Sequence, residues 1–157
     1  KNLGESSSSI LDMFIGNHAG TIGETSVIAL LIGALYLTVR KIIDLRIPLT
    51  YIVVFGICIM LFNKSTDINF LAMQLCGGGL IFGAFFMATD YATSPITKSG
   101  RYIFGICLGL LTAIFRTFGN TAEGVSFAII FCNLLVPLIE KWSIPKAFGI
   151  VKAKGGK

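Results

Sequence analysis

Three short polar segments of this sequence carry side chains able to do chemistry. Gly23-Glu24-Thr25-Ser26 joins glycine-bearing backbone to a carboxylate and two hydroxyls, immediately before an apolar run. Thr25 or Ser26 can cap the free N–H groups of a helix starting there, and a carboxylate such as Glu24 is favoured at its positive end. The same arrangement can bind a phosphate or an anionic ring. Gly119-Asn120-Thr121-Ala122-Glu123-Gly124 leads into another apolar run in the same way, so Asn120 and Glu123 join the candidates. Thr89-Asp90-Tyr91-Ala92-Thr93-Ser94-Pro95 puts three aliphatic hydroxyls and a carboxylate after a long apolar stretch. Thr89 and Asp90 there either contact a ligand or close a solvated turn through local backbone bonds. His18, the single histidine, has no metal ligand at a useful spacing, so no metal site is expected. Neither a phosphate-binding loop, a nucleophile elbow, a zinc-protease motif nor a dinucleotide fingerprint occurs, so the chain holds no self-contained hydrolytic site.

The elements that must position these segments are membrane spans. Hydrophobic residues make up 54% of the 157 and charged residues 13%, with a mean hydropathy of +0.82, too apolar for the surface of a soluble domain. Disorder, nucleic-acid binding and a small disulfide scaffold are excluded together. Cys58, Cys76, Cys107 and Cys132 form no C-x-x-C pair and each sits in an apolar run, as small reduced hydrophobes do. Five stretches, 26–39, 48–62, 70–89, 102–118 and 124–139, are candidates for crossings, the first two short for the 17–25 residues usually needed. With five crossings, Arg40, Lys41, Arg46, Lys98, Arg101, Lys141, Lys146, Lys152, Lys154 and Lys157 fall on one side, leaving Lys1, Lys64 and Arg116 on the other. The positive-inside rule then puts the C-terminus in the cytoplasm.

Several features suggest irregular backbone at membrane depth. Residues 9–16 make only about two helical turns before the polar Asn17-His18-Ala19-Gly20-Thr21-Ile22-Gly23, which reads as a re-entrant half-helix or as an amphipathic helix on the outer surface. Gly77-Gly78-Gly79 inside the third span suggests a broken or bent helix, or room for a flat ligand. Gly79-x-x-x-Gly83 and Gly105-x-x-x-Gly109 fit close helix approach, and Asn133 in the last span needs a partner on another helix or a ligand. The expected organisation is an outer-side segment over 1–25, a five-helix transmembrane domain over 26–140 and a basic cytoplasmic tail over 141–157. Lys1 reads as a mid-chain start, so this is expected to be the C-terminal part of a longer protein.

Three blocks, in order, resemble the RnfD/NqrB family. They are Gly20-Thr-Ile-Gly-Glu-Thr-Ser26 with Arg40-Lys41 and Arg46-Ile-Pro48; Met87-Ala-Thr-Asp90 with Thr93-Ser-Pro95; and Glu123-Gly124 with Phe127-Ala128, Asn133, Pro137 and Glu140. The Gly-Glu-Thr-Ser run and the spacing of Arg46 favour the Rnf branch of the family over its quinone-reductase branch. The resemblance implies an all-α integral membrane protein, one half of an inverted-repeat, urea-channel-like fold, in a bacterial inner membrane. It implies a component of an ion-pumping ferredoxin:NAD+ oxidoreductase, moving Na+ or H+ beside other integral membrane and flavin or iron–sulfur subunits. It also implies FMN, with riboflavin as a further flavin. The family's attachment motif is absent here, so the flavin-bearing threonine is expected upstream of Lys1. The residues themselves leave two other functions open, a channel or transporter half for a small solute or ion and a structural scaffold.

A reporter fused after Lys157 should be active only when it is of a kind that works in the cytoplasm. Activity of an exported reporter at that position would overturn the count of five.

Overall fold

The computed structural model describes residues 26–64, 67–77, 79–119 and 124–144, and every regular element among them is helical. Helix α1 is Val27–Val39. Ser26 caps it, its hydroxyl accepting the Ala29 N–H at 3.4 Å. Its other end closes with Lys41 N–H donating to Thr38 O (2.9 Å) and Ile42 N–H to Leu37 O (3.0 Å). This double closure needs a left-handed residue, usually glycine. Lys41 takes that place with φ 56°, at a cost of roughly 1–2 kcal/mol for a residue with a Cβ. Lys64, just past α2 (Arg46–Asn63), is left-handed too.

Helices α2, α5 (Lys98–Phe118) and α6 (Gly124–Ser143) are long and apolar enough to cross a membrane. Between them α3 (Ile68–Cys76) and α4 (Leu80–Met87) form a pair bent by 65° that together suffices for a fourth crossing. At 13 residues, α1 measures about 20 Å against a hydrocarbon core of about 30 Å. The described residues thus hold three long spans, or four with the bent pair. Large side chains such as Leu35, Val53 and Leu134 are well exposed, and the surface is apolar in the way lipid-facing surfaces are.

The centre of the bundle is the pairing of α2 with α5, and two glycines set its closeness. A Cβ on Gly105 would lie 2.9 Å from Thr50 Cβ, and one on Gly109 would lie 2.9 Å from both Phe55 N and Tyr51 O. Backbones so close leave room for one buried polar contact, Tyr51 Oη to Thr112 Oγ1 at 2.7 Å. Phe55, Ile59, Phe104 and Leu108 fill the rest of the seam. On the far flank of α5, α6 packs with Gly124 against Phe115, and Gly83 of α4 abuts Val125. α1 touches the bundle through α4, where Gly33 admits the Phe86 ring, itself stacked on Phe82 at 5.5 Å.

The glycine run behaves as its sequence suggests in one respect and differs in another. The third span is broken there, with Gly79 left-handed at φ 66°. Gly79 therefore makes the turn and is not a packing residue, so of the first small-residue pair only Gly83 seats a neighbouring helix. The last five residues of α4, Gly83–Met87, are π-helical, with Ala88 N–H donating to Gly83 O at 2.8 Å.

A helix broken inside a membrane leaves carbonyls that lipid cannot satisfy. Arg116, in the last turn of α5, answers that need. Its guanidinium donates to Gln74 O, to Gln74 Oε1 at 3.3 Å and to Gly77 O at 2.7 Å. It also stands 5.2 Å over the Phe55 ring, a cation–π contact. A cation is favoured at the negative end of α3. Arg116→Met should therefore lower stability in detergent by about 2–4 kcal/mol, since each buried carbonyl left unpaired costs about 1–3 kcal/mol. Arg116→Lys should lose less, as the charge stays and the fork is lost. Thermal unfolding of both variants checks the order.

Candidate functional site

α1 ends, α2 begins, α4 ends, α5 begins and α6 ends at one end of the bundle, and that end is basic. It carries Arg40, Lys41, Arg46, Lys98, Arg101 and Lys141. A carboxylate ties its loops together. Asp44 Oδ1 accepts the Arg46 N–H at 3.0 Å, supplying the cap α2 otherwise lacks. Its Oδ2 accepts from Arg101 Nη1 at 2.5 Å and lies 3.6 Å from Arg46 Nη1. Arg101 Nε donates to Pro95 O at 3.1 Å, so α5 is bound to the loops on both sides of it. Thr97 caps α5 by accepting the Gly100 N–H and meets Ser143 Oγ at 2.5 Å. Glu140 Oε1 accepts the Ile96 N–H at 3.1 Å. Burial works to raise the Asp44 carboxyl, but the Arg46 N–H, the Arg101 hydrogen bond and the charges of both guanidiniums outweigh it and hold it below its ordinary value.

Above these bonds lies a cavity of about 490 Å³, a size typical of small-molecule sites. Its polar lining comes from Thr38, Lys41, Asp44, Thr89, Ser94 and Arg101, its apolar lining from the 42–47 segment and Tyr91. Thr38 Oγ1 donates to Ala34 O at 2.7 Å and Thr89 Oγ1 to Phe85 O at 2.6 Å. Both hydroxyls thus turn lone pairs, not protons, to the cavity. Among the described residues the ion pairs to Asp44 use Arg46 and Arg101, and Lys41 on the rim has no carboxylate.

Of the eight residues that the sequence marks as candidates, the structure describes Ser26, Thr89 and Asp90. Gly23, Glu24, Thr25, Asn120 and Glu123 lie outside the described residues, as do His18 and the 9–16 stretch. Ser26 is at the end opposite the basic one and is the α1 cap. Thr89 lines the cavity, and the exposed Asp90 accepts from Thr93 Oγ1 at 3.2 Å, the local bonding of a turn. Asn133 lies in α6, where its Oδ1 is buried with no hydrogen-bond partner among the described residues. Pro137, one turn on, offers its carbonyl no N–H. The four cysteines are free, Cys132 buried and the others half-buried, and no metal-binding cluster occurs among the described residues.

Sequence pattern does not mark Asp44 or Lys41 as site residues. Asp44 does carry one signal, being a lone carboxylate among three cations, Arg40, Lys41 and Arg46. Some of the positions that carry the family resemblance meet at this end: Arg46 through Asp44 and Arg101 to Pro95, and Glu140 beside them.

Comparison with known proteins settles that resemblance. The model of the NQR2, RnfD, RnfE family matches residues 1–149. The chain belongs to this family. It is 42% identical over 148 residues to the D subunit of the Na(+)-translocating ferredoxin:NAD(+) oxidoreductase complex of Acetobacterium woodii, covering 93% of this chain and 45% of that protein. It is 42% identical to the D subunit of the proton-translocating ferredoxin:NAD(+) oxidoreductase complex of Clostridium ljungdahlii, over 87% of this chain and 42% of the relative. Against the D subunit of the ion-translocating oxidoreductase complex of Stutzerimonas stutzeri the identity is 40%, over 94% and 44%. The chain spans less than half the length of these relatives.

Because the folded Asp44 pKa is depressed, its contribution is complete above the ordinary carboxylate value and disappears as pH falls through the lower folded one. Asp44→Asn in this family member should thus destabilise near neutral pH by up to about 1 kcal/mol, the scale of a partly exposed ion pair. The gap between variant and wild type should close in acid below the ordinary value of 3.8. Unfolding midpoints across pH check the sign.

Proposed function

We propose that this chain is a flavin-binding, electron-carrying part of the membrane D subunit of an Rnf-type ferredoxin:NAD+ oxidoreductase that translocates Na+ or H+. The observation that carries this reading is the 40–42% identity, over most of the chain, to proteins named as the D subunit of such complexes. Two of those names specify different ions, and either ion is compatible with this reading. The proposed topology is five crossings with the basic end in the cytoplasm, within a two-halved, urea-channel-like fold in the bacterial inner membrane. Partners are the complex's other membrane subunits and those bearing flavin or iron–sulfur centres.

FMN, with riboflavin as a further flavin, fits the end opposite the basic one. α1 and α6 both start there, so two positive helix ends face any anionic group at that end. Gly23, Glu24 and Thr25 beside Ser26, with Asn120 and Glu123 before α6, are the residues that would hold it. Ser26 contributes by fixing the start of α1, since its hydroxyl is spent on the cap. Thr89 and Asp90, at the basic end, would shape the cytoplasmic approach. The flavin supplies one- and two-electron redox chemistry when bound, and the protein supplies orientation and electrostatics.

A bent helix pair is also a device of transporters, so a channel half is the competing reading. The intact purified protein should show a flavin absorption spectrum, and a colourless protein would favour the channel. Glu24→Gln in the assembled complex should slow electron transfer at least about tenfold, equivalent to about 1.4 kcal/mol of barrier, with assembly and flavin content normal. Unchanged rates would reduce Glu24 to a helix cap.

A further inference from the structure

The cavity at the basic end lies away from the helix starts assigned to the flavin, and it combines three features that together define a ligand class. The first is uncompensated positive charge. Among the described residues Asp44 is the one carboxylate lining it, and that group is shared between Arg101 and Arg46. Lys41 stands on the rim with no carboxylate of its own among the described residues, and Arg40 adjoins it. The second is donor chemistry suited to an oxyanion. The Ser94 hydroxyl makes no hydrogen bond among the described residues, so with the Lys41 ammonium it offers free protons to the cavity. Thr38 and Thr89 have already given theirs to carbonyls.

The third feature is where the cavity lies. It opens at the ends of the spans, where headgroups sit, and its margin is apolar. Ile42 is 60% exposed and Tyr91 95%, and Val39, next in sequence to Thr38 of the lining, is 71% exposed. Ile42 and Tyr91 line the cavity itself. A soluble anion needs no apolar margin, whereas a phospholipid needs one for its acyl chains. Basic pockets between helix ends are the known habit of anionic headgroup sites.

We propose that this cavity binds the phosphate of an anionic phospholipid, with Lys41 and Ser94 as its donors, Arg101 held behind them by Asp44, and the acyl chains running down past Val39 and Ile42. The left-handed backbone of Lys41 is consistent with this assignment. Glycine would sit there without strain, and lysine brings the charge to the rim. This assignment rests on the chain being a membrane protein and is independent of the flavin.

Lys41→Gly makes a clean test because it removes the ammonium and relieves the backbone together. The intact protein in neutral detergent would be titrated with phosphatidylglycerol, with phosphatidylcholine and with inorganic phosphate, reading the thermal midpoint and, by native mass spectrometry, the retained lipid. In wild type, phosphatidylglycerol should raise the midpoint and remain bound, and phosphatidylcholine should do neither. In Lys41→Gly the midpoint without lipid should be equal or higher, while phosphatidylglycerol should bind at least tenfold more weakly. Ser94→Ala should weaken it in the same direction. Equal phosphatidylglycerol binding by wild type and Lys41→Gly would overturn the site. Stabilisation of wild type by inorganic phosphate alone, with the two lipids indistinguishable, would overturn the lipid as its source.

Discussion

Hydrocarbon offers no hydrogen bonds, so a backbone carbonyl released inside it has to be met by a group of the protein itself. That constraint explains the placing of Arg116. The glycine run at 77–79 breaks the third span and leaves the carboxyl end of α3 open, and the guanidinium of α5 closes it at Gln74 and Gly77. The side chain can reach that far only because Gly105 and Gly109 bring α5 against α2 and Phe55 gives the cation an aromatic face to rest on. Break, close helix seam and half-buried arginine form one unit. Removing any of the three leaves the others without a reason.

The opposite end of the bundle is organised by the converse arrangement, one anion among cations. Asp44 caps α2, pairs with Arg101 and Arg46, and through Arg101 reaches the carbonyl of Pro95. The loop segments at this end are thereby fixed about a polar cavity. The two ends differ in kind. At the arginine end a charge replaces missing backbone partners, and at the Asp44 end backbone and side-chain donors are gathered onto a charge. Between the two ends, among the described residues, polar side chains are buried at Tyr51–Thr112 and at Asn133 Oδ1, while Thr117 lies in the last turn of α5.

Features that depend on local chemistry are legible in the sequence. Ser26 as a cap, Pro48 in a first helical turn, the break at the triple glycine, Gly105 and Gly109 as a contact face, and the unpaired state of the cysteines all follow from residue type and spacing. What depends on a distant partner is not. Arg116 reads as a loop charge because in one dimension it stands next to the end of a span, and nothing there shows that it turns inward to residues some forty positions earlier. The pairing of Asp44 is hidden for a similar reason, its partner Arg101 lying beyond two intervening spans. Gly79 looks like a packing residue because its spacing to Gly83 matches the motif, whereas its position after two other glycines makes it the turn.

The π-helical segment at Gly83–Met87 has a consequence for how this helix tolerates change in length. A π turn is an α-helix carrying one surplus residue, and the surplus is absorbed locally instead of rotating everything that follows. Downstream of it lie Thr89 and the loop to Pro95, whose direction is set by the cavity and by Arg101. Excising a single residue from that segment would let the turn relax to α geometry. It would keep the side chains after it on the same side of the helix, whereas a deletion from a regular α turn would swing them by about 100° about the helix axis. The helix can therefore carry the surplus residue at this segment, or lose it, with the following loop aimed the same way.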